Sequence, residues 1–247
     1  MARGLEVLAC FKHGETFLAN QVIARRCKLP RSTVSRLTYT LTRLGYLHYV
    51  QEVGKYRRGT RFVAMSAAAL GSLDVRRLAR PRMRELAEFS GMVVGLAVRD
   101  RLSMRYVECT HGKDARSLTI GAGVRMSLVR SSIGRAFVAT LSSAERTTLF
   151  NELRTRNEAT WPRSESILID AVREHATLGC CCSFGDWNER VSAIAVGFRP
   201  GGGLPPMAVN CGASTVTGAP KFLLEQMRPR LIALAHSLNG VAQAPDE

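Results

Sequence analysis

Residues 29 to 47, LPRSTVSRLTYTLTRLGYL, constrain this chain more than any other stretch. Val34, Leu37, Leu41 and Leu44 recur at the three-and-four spacing of a buried helical stripe. Arg31, Thr33, Ser35, Arg36, Tyr39, Thr40 and Arg43 occupy the opposite side. A solvated helix normally mixes charge signs and gains intrahelical pairs from its acids. Here no acid lies between Pro30 and Gln51. One side of the helix is built for a core, and the other for an acidic partner.

The flanking segments say what kind of partner. An apolar stripe of Leu5, Val7, Leu8 and Phe11 predicts a first helix over 4–12, ending near His13 and Gly14. A second helix is predicted from Asn20, a good capping residue, through Val22, Ile23 and Ala24 to Cys27. After Gly45, YLHYVQ and KYRRGTRF are β-rich segments on either side of Val53 and Gly54, a hairpin signal. Helix, helix, turn, helix, hairpin is the order of a winged helix-turn-helix, whose second motif helix lies in the major groove of double-stranded DNA. Arg36 is then the candidate for a bidentate guanine contact, with Arg31, Ser32, Thr33, Ser35, Tyr39 and Thr40 divided between bases and phosphates. Lys55, Arg57 and Arg58 in the wing suit phosphates or the adjacent minor groove.

Charge is distributed accordingly. The chain of 247 residues carries a formal +15, and residues 1 to 62 hold twelve Lys and Arg against three acids. The basic surplus is thus concentrated in the first quarter, as expected of a nucleic-acid-binding module joined to an ordinary domain. An apolar fraction of 46 % supports real cores. No apolar run is long enough to span a bilayer and no signal peptide opens the chain, so a cytoplasmic location is expected. Seven cysteines in scattered positions describe neither a disulfide framework nor a zinc site. The run Cys180, Cys181, Cys182 reads as a buried strand, since successive side chains point to opposite faces and cannot ligate one metal; a redox sensor is the alternative.

MSAAALGSLDVRRLARPRMRELA, residues 65 to 87, is helical and interrupted at Gly71 and Pro81; it reads as a connector whose apolar side packs against a twin in a dimer. Beyond it, MVVGLAVRD, MRYVEC and SLTI read as strands, and SSIGRAFVATL as a helix starting near Ser131. Ser142 and Glu145 form a capping box, and ILIDAVREHATLG ends in a helix-stopping glycine. GCCCSF, VSAIAVGF and MAVNCGA supply three more strands before a closing helix, KFLLEQMRPRLIALAHSL. The succession predicts an α+β fold with an antiparallel sheet and flanking helices. The expected boundaries are 1–62 for the DNA-binding head, 63–78 for the linker and 79–247 for the C-terminal domain.

GLEVLACF, LPRSTVSRLTYTLTRLGYL followed by GKYRRGTRF, LGSLDVRRLARPRMRELAE, SSIGRAFVA and ERVSAIAVGF stand in the order and spacing of one family. With them the chain resembles the IclR family of bacterial transcription regulators over almost its whole length. The resemblance implies a winged helix, a helical linker and a GAF-like effector-binding domain, acting as a dimer or a dimer of dimers. It also implies a pocket for small organic molecules, often aliphatic or aromatic carboxylates, lined by Met126, Ser132, Ile133, Ser183, Ala193, Asn210 and Gly212. Where a member sensing pyruvate and glyoxylate has an aspartate, a cysteine and two serines, this chain has Ser183, Ala193, Asn210 and Gly212, so the same ligand is not read in the same way. Asn210 retains an amide, the amides around Ser132 and Ile133 suit a carboxylate, and Arg130 and Arg135 are candidate assistants. The family's turn before the reading helix usually has glycine where Lys28 stands, at a position needing positive φ.

Two other functions compete. A Cys109–His111 pair, or His175, Asp186 and Glu189 near the cysteine run, could suggest an enzyme. No nucleophile elbow, phosphate-binding glycine loop or metalloprotease motif supports that, and neither catalysis nor a cofactor or metal is expected. The other alternative is a DNA-binding protein whose C-terminal domain serves only to oligomerise.

Overall fold

The computed structural model of the chain describes residues 1–12, 14–71, 74–113, 115, 120–215 and 219–241. It divides into two compact units, Met1–Leu73 and Asp74–Glu247.

The first unit runs α1 (Ala2–Ala9), α2 (Asn20–Cys27), α3 (Arg31–Arg43), β1 (Leu47–Val50), β2 (Lys55–Arg58) and α4 (Thr60–Gly71). Val7, Leu8, Phe11, Leu18, Ile23, Ala24, Val34 and Leu47 form its core. The first helix stops at Ala9, earlier than expected, and leaves Leu5 57 % exposed while Phe11 packs from the segment beyond it; His13 lies outside the described residues. In α3 the buried stripe is Val34, Leu37, Thr38 and Leu41 rather than one ending at Leu44, which is 47 % exposed. Thr38 enters the core because its hydroxyl donates to Val34 O at 2.9 Å, which satisfies the polar group within its own helix.

The wing is an antiparallel hairpin with Tyr49 opposite Tyr56, their rings 4.9 Å apart. Leu18 joins its outer edge through reciprocal backbone bonds with Tyr56, both 2.8 Å. At its base, Gly59 lies so close to the Gly45 and Tyr46 backbone that no side chain would fit, which fixes the wing against the end of α3.

The helical stretch expected to begin at residue 65 starts at Thr60, so Arg61 and Phe62 belong to α4 and not to the second strand. α4 is described to Gly71 and α5 from Asp74, and the interruption expected at Gly71 falls on residues 72 and 73, outside the described set. Pro81 does not interrupt α5 (Asp74–Ser90). Val75, Ala79, Met83 and Ala87 are fully or almost fully buried on its opposite face, and this packing outweighs the local cost of the proline. Residues from 74 onward thus belong to the second unit rather than to a free connector.

That unit is built on β3 (Val93–Asp100), β4 (Ser103–His111), β5 (Arg125–Ser127), β6 (Cys181–Phe184), β7 (Val191–Phe198) and β8 (Met207–Ser214), in the antiparallel order β5-β4-β3-β8-β7-β6. Three helices, α6 (Ser132–Thr140), α7 (Ser143–Arg156) and α8 (Trp161–Leu178), lie between β5 and β6 in sequence. Ala97, Cys181, Ala195 and Ala208 meet Ile133, Ala136 and Phe137 of α6 in one core. Their strand neighbours Leu96, Ile194 and Val209 take the opposite face, where α5 and the closing helix pack. The closing helix runs from Pro220 to Ser237 through a π-helical turn at Leu223–Met227. The Ser142 and Glu145 capping box forms as read from the sequence, and Gly179 ends α8 at φ 71°. β5 was not foreseen, and the expected strand SLTI falls largely on 117–119, outside the described residues.

Candidate nucleic-acid interface and ligand cleft

The face of α3 expected to meet DNA is accessible. Arg31, Ser32, Ser35, Arg36 and Thr40 are exposed, Tyr39 is 66 % exposed, and Thr33 is half-buried. Among the described residues no carboxylate pairs with Arg31, Arg36, Lys55 or Arg57. Other cations of the head are engaged. Arg26 grips Glu15 with two bonds of 2.5 and 2.6 Å and, with a Lys12 amide, holds that carboxyl down to about 2. Arg58, grouped from the sequence with the phosphate-binding wing residues, points inward instead. Its Nη2 donates to Phe11 O and Lys12 O at 3.0 and 3.1 Å, and its guanidinium lies between the rings of Phe11 and Phe62. It ties the wing to the segment after α1, leaving Lys55 and Arg57 as the outward cations of β2.

One detail of the head escaped sequence reasoning, and another, at Lys28, follows the expectation of a positive φ. Ala19, not Asn20, occupies the cap of α2; the Asn20 amide instead donates to Ser35 Oγ at 2.8 Å, and Ser35 donates on to Arg31 O. Asn20 therefore orients the first turn of α3 from the preceding helix. Lys28 adopts φ 52°, ψ 42°, and its amide closes the end of α2 on Ala24 O and Arg25 O. The turn keeps the left-handed geometry in which glycine is at ease, and the lysine bears the strain.

In the second unit, the strand registers lay out the floor of a cleft. Val93 pairs with Gly212, Gly212 with Ala193, and Ala193 with Ser183, which puts four side-chain positions in one row across β3, β8, β7 and β6. Asn210 stands one pair along β8, opposite Gly95. Over this row come Met126 of β5 and Ser131 and Ser132 at the start of α6, with Tyr106, Ile120, Trp187 and Val191 completing the lining of a narrow, partly open cleft. Of the expected pocket residues, Met126, Ser132, Ser183, Ala193, Asn210 and Gly212 meet there. Ile133 does not line it; its side chain is wholly buried in the core beneath α6, as the helical rotation of 100° from Ser132 dictates. Tyr106 and Trp187 are the largest additions, and nothing in the local sequence marked them.

Polarity within the cleft is sparse and directed. Tyr106 donates its hydroxyl to Asn210 Oδ1 at 3.1 Å, and burial pushes the phenol well above its ordinary range, so it remains a neutral donor. Asn210 is thereby oriented with its NH2 group left for another acceptor. Ser183 donates to Arg130 O at 3.1 Å, and Ser131 Oγ caps α6 by accepting from Gly134 N. The Ser132 hydroxyl has no partner among the described residues. Arg130 and Arg135 are occupied elsewhere: Arg130 Nε binds Asp186 O, and Arg135 binds Val129 O, Cys182 O and the Asp186 carboxylate. They brace the loop after β6, and among the described residues the cleft wall holds no ionisable acid or base beyond Tyr106.

The cysteines and the residues considered for catalysis form no reacting set. Burial and the Glu108 charge push Cys109 up to about 12, so it does not supply a thiolate, and Asp186 is held by Arg135. Cys180, Cys181 and Cys182 are all buried, with Cys181 donating to Ala171 O. Among the described residues no three metal-binding side chains converge, and no helix is long and apolar enough to cross a membrane.

Comparison with known proteins agrees with this arrangement. The model of the IclR helix-turn-helix domain matches residues 1–51, and that of the bacterial transcriptional regulator IclR C-terminal domain matches residues 67–238. The transcriptional regulator TsaQ1/TsaQ2 of Comamonas testosteroni is 29 % identical over 246 residues, covering 99 % of this chain and 88 % of that protein. The regulator XynR of Escherichia coli K12 is 30 % identical over 196 residues, covering 78 % of this chain and 77 % of that one. An IclR family regulator from Brucella abortus superposes with a TM-score of 0.82 at 36 % identity, over 96 % of this chain and 89 % of that one. An IclR homologue from Microbacterium hydrocarbonoxydans, solved with 4-hydroxybenzoate, shares the fold at a TM-score of 0.74 and 21 % identity, over 96 % of this chain and 98 % of that one. With both units matched and the architecture shared, the chain belongs to the IclR family of DNA-binding bacterial transcriptional regulators.

Proposed function

We propose that this regulator reads its operator with α3 and responds to a small organic carboxylate, aromatic or aliphatic, held in the cleft beside α6. Arg36 takes a bidentate guanine contact, Arg31, Ser32, Thr33, Ser35, Tyr39 and Thr40 divide between base edges and phosphates, and Lys55 and Arg57 engage the backbone from the wing. Arg58 is withdrawn from that set, because its guanidinium belongs to the fold of the head. Two heads reading symmetric half-sites require at least a dimer, and the exposed Val63 and Met65 of α4 supply part of the contact. Such a protein works where the chromosome is, in the cytoplasm.

The observation that carries the sensing reading is the orientation of Asn210. A buried amide held by Tyr106 so that its donor end faces an apolar enclosure is suited to an oxygen-bearing ligand. The Ser132 hydroxyl and the free amides at the start of α6 add donors from the facing wall, and no acid among the described lining residues repels a carboxylate. The ligand bound by the Microbacterium homologue, 4-hydroxybenzoate, has this chemistry. Ligand and operator then alter each other's affinity by the same factor.

Thermal unfolding of the full-length protein with a panel of organic acids that includes 4-hydroxybenzoate tests the reading. A ligand at one hundred times its Kd stabilises the folded state by about 2.7 kcal/mol, so at least one acid raises the melting temperature, and Asn210→Ala reduces the rise. Silence across the panel overturns sensing and leaves the second unit as an oligomerisation domain.

A further inference from the structure

We infer that the second unit carries a separate site for a small aromatic carboxylate, on the far side of β5 from the cleft already described. A half-open cavity lies between β5, the end of α7 and the start of α8. Its apolar surface is provided by Leu102, Leu128 and Trp161, and Trp161 is held edge-on by Phe150 with ring centroids 5.3 Å apart. Arg125 comes from the edge strand and Arg156 from the last residue of α7, so two elements distant in sequence bring guanidinium groups to one cavity.

Neither guanidinium has a carboxylate or hydrogen-bond partner among the described residues. On the neighbouring strands, by contrast, Arg99 pairs with Glu152 and Arg105 with Asp100. Among the described residues no acid lines the cavity. Apolar side chains beside two unpaired forks fit an aromatic body with one carboxylate, which arginine recognises bidentately.

The position gives the site a means of action. Alternation along β5 sends Arg125 and Ser127 to this cavity and Met126 to the first cleft. Ser131, which caps α6 at the first cleft, donates to Ser127 O. The three residues of β5 are thus a shared wall, and a ligand that orders one side orders the other.

The chain has two tryptophans, and each lines one cavity: Trp187 the first and Trp161 the second. Full-length Trp187→Phe therefore leaves Trp161 as the sole indole reporter of the new site. Benzoate is expected to change Trp161 emission saturably, while uncharged benzamide does not. Replacing both arginines with methionine, which keeps the stems, is expected to weaken the effect by about tenfold for each arginine, with the far-ultraviolet dichroism unchanged. Asn210→Ala, in the first cleft, leaves the Trp161 response in place. The inference is overturned by an emission that benzoate leaves unchanged, by equal effects of benzamide, by an unweakened response in the Met variant, or by loss of the response in Asn210→Ala.

Discussion

Tyr106 and Asn210 meet at 3.1 Å on adjoining parts of the sheet because Gly95 lies beneath them and offers no side chain. A Cβ at residue 95 would stand 2.8 Å from Asn210 Oδ1 and closer still to the Tyr106 ring. The orientation of the cleft's central amide thus depends on a glycine whose own sequence context, VVGLAV, reads only as a weak point in a strand.

Gly95→Ala is expected to destabilise the second unit by about 1–3 kcal/mol through overpacking, and to weaken any ligand response by turning Asn210. Tyr106→Phe keeps the ring and removes only the hydroxyl. It costs about 1 kcal/mol in stability and reduces ligand-induced thermal stabilisation without abolishing folding. Denaturant melts with and without ligand separate the two effects.

Lys28→Gly relieves a left-handed backbone at the turn before α3. It should stabilise the full-length protein by about 1 kcal/mol, less whatever entropy the unfolded chain gains, and leave operator affinity intact. Chemical denaturation followed on the head, with binding measured in parallel, checks this. A loss of stability would mean that the lysine side chain contributes contacts that outweigh the strain.

Arg57 and Arg58 are adjacent in sequence and differ in role. Arg58→Ala removes two hydrogen bonds and a cation between Phe11 and Phe62, and is expected to cost about 1–2 kcal/mol of head stability. Arg57→Ala is expected to leave stability unchanged and to lower the slope of log affinity against log salt by about 1.

Acid should weaken the head through Glu15. Its carboxyl is held at about 2 against an ordinary 4.5, so the pair with Arg26 stabilises the fold above about 4.5 and is lost as pH falls toward about 2. Glu145, held at about 2 chiefly by Arg199 and also by its bond to the Ser142 amide, acts in the same window in the second unit. Glu15→Gln should flatten the pH dependence of head unfolding between those limits, measured by thermal melts at stepped pH. An unchanged profile would show the exposed pair to be fully screened.

The sequence was most legible where one face of one element carried a strong demand. The helix α3 with its acid-free face, the capping box at Ser142 and the strand VSAIAVGF all appear where they were expected. Misreadings arose where distant partners decide. Pro81 survives inside α5 because the buried face of that helix packs on the sheet, and Thr38 displaces Leu44 from the buried stripe because its hydroxyl finds a carbonyl within the helix. Arg58 turns inward to carbonyls forty-six and forty-seven residues away, a partnership no local pattern contains. Six of the seven positions that family resemblance put at a pocket line the cleft beside α6, but Tyr106 and Trp187, which join them there, come from segments with no polar or periodic signature of their own.

The most direct test of the account is fluorescence anisotropy of full-length protein on labelled duplexes from upstream of its own gene, with excess competitor DNA at two salt concentrations. Wild type is compared with Arg36→Ala. The account predicts competitor-resistant binding that falls with salt, and a loss of about 1–3 kcal/mol with relaxed selectivity in the variant. Equal removal of wild type and variant from every duplex by competitor would contradict it, and would mean that α3 holds phosphates without reading bases.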